Sequence, residues 1–429
     1  MVLLAFFFAF IHQAEAKWKQ SGTAGAYYQK YSIPETPVYA NQAGGLDVST
    51  KLDWKSEKSW RFRSDLDFIT DQLSKDSEES FRFNPRNFYL ENKFSSLTMR
   101  LGYQTIAPEG PDLFNPADVI HSKDWKDPTN PRNLSSAGLS FSQELGDWQW
   151  EAFYIPRQTR PKLPGERSLW WPREKRLPLE SDEVGEARIP TDIDYKIADG
   201  QEIDRAFENN YSFRLLRKTE SFEAQALYYE GLHHEPFLNF FAVSSNQILP
   251  PGGKPILLLD SPVVFTPLYF RERVMAGTFV WPFASWSLKG GANWSQALGS
   301  DSRLPGEEST YVLGAEKNIE TRKGLMTVIL QHEEMRRQAK DQVSFLRSVF
   351  ENSWSLALRI PWGEETQILT GFIYDTLGKS SIARLTVTRR LTDSVSIEAG
   401  GQWLDGPEDS LVGLYSKYDR WGLGLNYHW

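Results

Sequence analysis

The chain ends on "WGLGLNYHW", Trp421 to Trp429, and this stretch alternates without a break. Trp421, Leu423, Leu425, Tyr427 and Trp429 are large and apolar; Gly422, Gly424, Asn426 and His428 are small or polar. A period of two is the signature of a strand with one dry and one wet face. A soluble sandwich can finish this way as readily as a membrane barrel. The choice rests on the rest of the chain.

The beginning shifts the balance. Met1 to Ala16 reads MVLLAFFFAFIHQAEA, an apolar run followed by Ala14-Glu15-Ala16 before Lys17. That is the layout of a secretory signal peptide, and the run is too short to span a bilayer. The expected division is therefore a signal peptide at 1–16 and a single β-barrel domain at 17–429. The chain has no Cys, so an exported protein of this sequence holds together without disulfides. Aromatic residues make up 14% and charged residues 24%, and no later segment is apolar enough for a membrane helix. The formal net charge of -8 argues against nucleic acid as a partner. Transmembrane barrels combine export, many aromatics and low mean hydropathy, because lipid-facing and lumen-facing residues alternate.

The alternation recurs along the chain. It is clear in Leu46–Lys55, Trp60–Phe68, Leu97–Gln104, Trp286–Ser295, Ser353–Ile360 and Val395–Trp403, and ambiguous in Tyr311–Ile319 and Thr366–Asp375. Short links near residues 55–59, 95–96, 146–147, 219–221, 281–284, 320–324, 361–365 and 393 alternate with longer polar ones. The longer links are 71–85, 106–136, 157–207, 232–266, 298–307, 335–347 and 405–420, with 377–380 the one short exception. Short periplasmic turns and long extracellular loops sort in this way in outer-membrane barrels. Counting back from Trp429 gives seventeen strands to Leu46, and Ser21–Tyr31 supplies the one needed for an even number. The expected fold is an all-β, antiparallel up-and-down barrel of 18 strands, with 16 as the fallback. The last strand then pairs with the first and removes the sheet edges that lipid does not tolerate.

Phe88 to Trp125, "FYLENKFSSLTMRLGYQTIAPEGPDLFNPADVIHSKDW", resembles the uncharacterised outer-membrane porin-like barrels of proteobacteria related to the alginate-export barrels. The matching patches are Arg100-Leu101-Gly102-Tyr103-Gln104 and the loop element Asn115-Pro116-Ala117-Asp118. The final hairpin, "LYSKYDRWGLGLNYHW", is similar to that group's last hairpin. The alternating set Trp421, Leu423, Leu425, Tyr427 and Trp429 resembles the signal that the outer-membrane barrel-assembly machinery reads on its clients. The resemblance implies outer-membrane lipid and that machinery as partners, in a Gram-negative outer membrane. Read physically, Asn115 caps a helical turn that Pro116 opens; the turn either enters the barrel mouth or lies on its rim.

The residues offer no catalytic set. There is no G-x-S-x-G elbow, no HExxH and no phosphate loop. His233 and His234 read as a solvated loop pair, since adjacent strand residues point oppositely. No catalytic residue, cofactor or metal is expected. The polar face carries Arg61, Arg63, Arg100, Arg214, Arg271, Arg273, Arg359, Arg384 and Arg390, with Asp65 and Asp67 among the acids. These are candidate pore-lining residues setting selectivity; the bland alternative is a wall of paired struts. Arg61, Arg63, Arg384 and Arg390 are expected to share one wall where the chain's two ends meet. The charged loop 157–207, with Trp170-Trp171, either narrows the pore or folds outward. "ILLLDSPVVF", Ile256 to Phe265, either extends a hairpin or packs in the mouth. The functional expectation is a passive channel for small polar or anionic solutes, with export of an acidic polymer as a variant. The competing class is an occluded structural or adhesive barrel whose loops bind a partner.

Overall fold

Eighteen of the alternating segments pair edge to edge in a computed structural model of the chain. It describes residues 17–429 except 34, 36–38, 57–58, 76–79, 172–174, 179–185, 191–192, 242–243, 250, 252, 254, 302, 338–349, 408–409, 411 and 417. The expected signal peptide, 1–16, lies outside the described residues, as does most of the expected loop 335–347.

In chain order the barrel strands are β1 (Lys17–Tyr31), β2 (Gln42–Lys55), β3 (Trp60–Thr70), β4 (Phe81–Phe94), β5 (Leu97–Gln104) and β6 (Ser136–Leu145). They continue with β7 (Trp148–Arg157), β8 (Glu208–Lys218), β9 (Glu223–Leu232), β10 (Arg271–Phe283), β11 (Trp286–Leu298) and β12 (Glu308–Thr321). The last six are β13 (Gly324–Arg337), β14 (Asn352–Pro361), β15 (Thr366–Asp375), β16 (Ser380–Arg390), β17 (Val395–Asp405) and β18 (Arg420–His428). Each pairs antiparallel with its neighbours in sequence, and β1 pairs with β18 from Thr23↔His428 to Tyr31↔Arg420. The barrel is closed, with the expected 18 strands, short turns at one end and long loops at the other.

The seam explains the terminal sequence. Trp429 and Gly22 exchange both backbone hydrogen bonds, Trp429 N–H to Gly22 O at 3.2 Å and Gly22 N–H to Trp429 O at 3.1 Å. The Trp429 indole covers Gly22, where a Cβ would lie 2.2 Å from the ring. Trp421 meets Tyr28 across the seam at 5.8 Å between centroids. Outside, Trp18, Trp60, Trp148, Trp281 and Trp286 are exposed near the short turns, while Tyr103, Tyr154, Tyr211, Tyr311, Trp354 and Tyr374 ring the other end. Two aromatic belts flanking a Leu-rich band match the two interfaces of a bilayer.

Small sheets build the long-loop end. Ile256–Leu259 pairs antiparallel with Ser244–Ile248 and parallel with Glu186–Ile189, and Val263–Tyr269 pairs with Phe237–Phe241. Leu163, Trp171, Ile189, Ile193, Leu259, Val263 and Phe265 form their shared core. "ILLLDSPVVF" thus extends a hairpin and also packs in this core.

Candidate functional site

The site is the lumen, and the segment from 105 to 135 fills much of it. Its first half lies against the wall from β8 to β13. Arg214 donates to Ala107 O (3.1 Å), Gln225 and Thr278 both donate to Glu109 O (2.8 Å each), and Gln331 donates to Phe114 O (3.0 Å). Lys289 pairs with Asp112 and with Glu316. Asn293 donates to Pro116 O at 2.8 Å, and a Cβ on Gly291 would meet the Pro116 ring at 2.9 Å. Ile106, Val119 and Ile120 bury themselves against Phe153, Leu227, Tyr229, Val274 and Ala276. Its second half is a hairpin, Ser122–Asp124 with Arg132–Leu134, whose tip reaches the far wall. There Arg420 binds Asp127 (2.8 Å) and Thr129 Oγ1 (3.2 Å), and Arg384 reaches Thr129 O. One loop springing from between β5 and β6 is therefore bonded to β8–β13 and to β16–β18.

The NPAD element is what turns this loop. Asn115 Oδ1 accepts from Ala117 N–H at 3.0 Å and its Nδ2 donates to Pro108 O at 3.2 Å, while Asp118 N–H donates to Asn115 O at 3.0 Å. Asn115 thus caps a single hydrogen-bonded turn with Pro116 at its first position, and the turn lies inside the barrel rather than on the rim. Asp118 then holds Lys123 (3.3 Å) and Asn133 (3.0 Å), fixing the hairpin's base. Burial pushes the His121 imidazole down to about 4, and Ile106 N–H donates to its Nε2 at 2.7 Å, so the ring is neutral. Burial raises the Asp127 carboxyl, but Arg420 and the Thr129 hydroxyl outweigh it and hold it below the usual range.

The candidate pore-lining residues divide. Arg61, Arg63, Asp65, Asp67, Arg100, Arg214, Arg359, Arg384 and Arg390 share the inward phase of their strands. Several are held in the wall: Arg61 by Asp53, Asp67 by Arg86, Arg100 by Glu91 at 2.7 Å, and Arg214 by Glu151 at 2.6 Å. Arg271 and Arg273 take the opposite phase, against expectation. They align with Met275 and Trp281 on the outside, where Arg273 binds Glu230 (3.1 Å) and the Tyr228 hydroxyl (3.2 Å). The misreading has a physical cause: Val274 and Ala276 face inward because the inserted loop gives the lumen an apolar patch there. The Arg strip also fails to form. Arg61 on β3 and Arg384 on β16 are five strand steps apart around the wall, roughly 24 Å.

Arg384, singled out from the sequence, lines a void of about 220 Å³ together with Arg420, but sequence reasoning missed the cations around another. A void of about 380 Å³ remains beside β1, β2, β4 and β18. Six basic side chains, Lys75, Arg82, Lys126, Arg132, Arg167 and Arg420, line it with four acidic ones, Asp47, Asp71, Asp127 and Glu398. Arg82, between exposed Phe81 and Phe83, and Arg420, before Trp421, were readable as inward-facing from phase alone. Arg132 and Arg167 were not, since loops carry no phase. Trp170 and Trp171 of loop 157–207 part company above this void. Trp170 joins Tyr31, Tyr415 and Tyr418, with Tyr415 Oη donating to Trp170 O at 2.6 Å, while Trp171 stacks on Phe265 at 4.5 Å. His233 and His234, expected to be solvated, are buried against Glu272.

A closed 18-stranded antiparallel barrel with a charged lumen is the architecture of Gram-negative outer-membrane barrels. Similar solved structures are OccAB3 of Acinetobacter baumannii (TM-score 0.52, 9% identity, 96% of this chain and 99% of that one) and Wzi, the capsule-assembly, carbohydrate-binding barrel of Escherichia coli. Wzi gives TM-score 0.48 at 11% identity, over 99% of this chain and 87% of that one. OccK11 of Pseudomonas aeruginosa gives 0.48 at 9%, over 96% and 95%. No family model and no curated protein matches the sequence.

Proposed function

We propose that the protein is a passive outer-membrane channel for small polar solutes, with a preference for anions. The observation that carries this is the void of about 380 Å³ beside the inserted loop, lined by six basic and four acidic side chains. In a narrow wet passage such an excess raises the local anion concentration. The inserted loop sets the width, and the paired Arg residues of the wall act as its struts. Purified protein in a planar bilayer should give discrete conductance steps, with a reversal potential on the anion side in a salt gradient. Persistent absence of conductance would instead support the occluded barrel. The aromatic cores around Trp170 and Trp171, which knit the long loops together, favour that second reading.

A further inference from the structure

We infer that His233, His234 and Glu272 form a binding site for a zinc-class divalent transition-metal ion at the loop end of the barrel. His233 and His234 follow the end of β9, and Glu272 is the second residue of β10, so the two feet of the 233–270 loop supply the ligands. The chain has left strand geometry at Leu232, so the adjacent imidazoles no longer point oppositely. Their rings stack 4.9 Å apart at 21°, both beside the same carboxylate. All three residues are buried, and their donor atoms lie within 4.8 Å of one another.

The ring nitrogens are sorted for this task. His233 Nδ1 is engaged by the Glu235 backbone, 2.6 Å from its carbonyl O and 3.2 Å from its N–H. With its proton given to that carbonyl, Nε2 is the nitrogen with the free electron pair, facing Glu272 at 3.7 Å from Oε2. His234 presents Nδ1 to Glu272 Oε1 at 3.8 Å, while its Nε2 faces the Glu235 carboxylate at 3.7 Å. Outer carboxylates and carbonyls of this kind fix the tautomer of a metal-ligating His. The spacing separates two readings. A direct charged N–H···O contact closes to about 2.7–2.9 Å. Two ligands about 2.0–2.2 Å from one tetrahedral ion stand roughly 3.3–3.6 Å apart. The observed 3.7 Å to Oε2 and 3.8 Å to Oε1, one carboxylate oxygen facing each ring, are close to the second value and far from the first. Two imidazoles and one carboxylate are the donor set of open zinc sites, with a fourth position left to water. The ion clips the loop at its base.

The full-length chain without a histidine tag, folded in detergent and stripped with chelator, should take up one Co²⁺ with visible d–d bands that Zn²⁺ then removes. H233Q and H234Q should each weaken uptake about 100-fold or more, and E235Q by about 10–100-fold as an outer partner. H332Q, on the outer face, should bind like the parent. Zn²⁺ should also slow proteolysis within 233–270. Lack of stoichiometric uptake by the parent chain would overturn the proposal and leave an imidazolium–carboxylate cluster. So would parental uptake by an H233Q/H234Q variant that retains heat-dependent gel mobility.

Discussion

Gly102 and Gln104, two residues of the short strand β5, each have a mechanical reason to be there. Gly102 has φ +132°, and a Cβ on it would stand 2.3 Å from Phe88 O on the paired strand. Gln104 is almost fully buried; it donates to Gly138 O at 3.2 Å and accepts from Ser140 Oγ at 2.6 Å. Gly102→Val should therefore cost roughly 2–4 kcal/mol, seen as loss of heat-dependent gel mobility at a lower temperature than the parent. His121 sets a second expectation. Its folded value lies below its unfolded one, so docking of its loop is fully stable above about 6.5 and weakens as pH falls toward about 4. Asp118 favours the proton on this ring and Lys123 opposes it, and burial outweighs both. The loss approaches roughly 3 kcal/mol. Single-channel conductance should rise or become noisy between these limits, and His121→Asn should flatten that dependence; a pH-independent parent channel would sink the idea.

At the scale of elements, strands and loops were legible to different depths. A strand's phase is local, so Trp421–Trp429 and its counterparts announced themselves, and strand number followed from link lengths. The inserted loop is a tertiary event. Nothing in 105–135 states that Ile106 and Val119 will pack on Val274, and this hidden contact reversed the reading of Arg271 and Arg273. Asn115 was singled out correctly as a turn former, but its location depends on Gly291 leaving room for Pro116. The same contacts define the loop's role. Replacing 107–119 with a short Gly-Ser bridge should leave the closed wall intact, because every barrel strand keeps both neighbours. Conductance should then increase severalfold, with unboiled gel mobility preserved. An unchanged conductance would mean that the long-loop end, not this segment, limits the passage.

For the channel proposed above, selectivity is a property of the whole molecule, because charge counts only where open space remains. Strand phase identified the inward residues apart from Arg271 and Arg273, yet an inward Arg beside a carboxylate contributes little field. Arg61 is spent on Asp53, Arg100 on Glu91, and Arg214 on Glu151. Replacing such struts should weaken the wall more than it changes ion preference. Arg82 and Arg132 differ: both line the void, Arg82 from β4 and Arg132 from the arm of the inserted hairpin that lies beside β4, where Asn84 donates to Asn133 O at 3.1 Å. Changing both to Gln leaves four basic side chains around it, of which Lys75 is held by Glu35 (2.8 Å) and Arg420 by Asp127 (2.8 Å), against four acidic ones. The excess that attracts anions is then gone, while the barrel seam and the Asp127–Arg420 clamp stay in place. The reversal potential of Arg82→Gln/Arg132→Gln should shift toward cations, most at low salt, since screening at about 0.1 M already acts over about 10 Å. Arg61→Gln/Arg63→Gln, tested beside it, should move the reversal potential less. If the wall variant shifts it and the void variant does not, ions pass along another route and the void is not the conducting path.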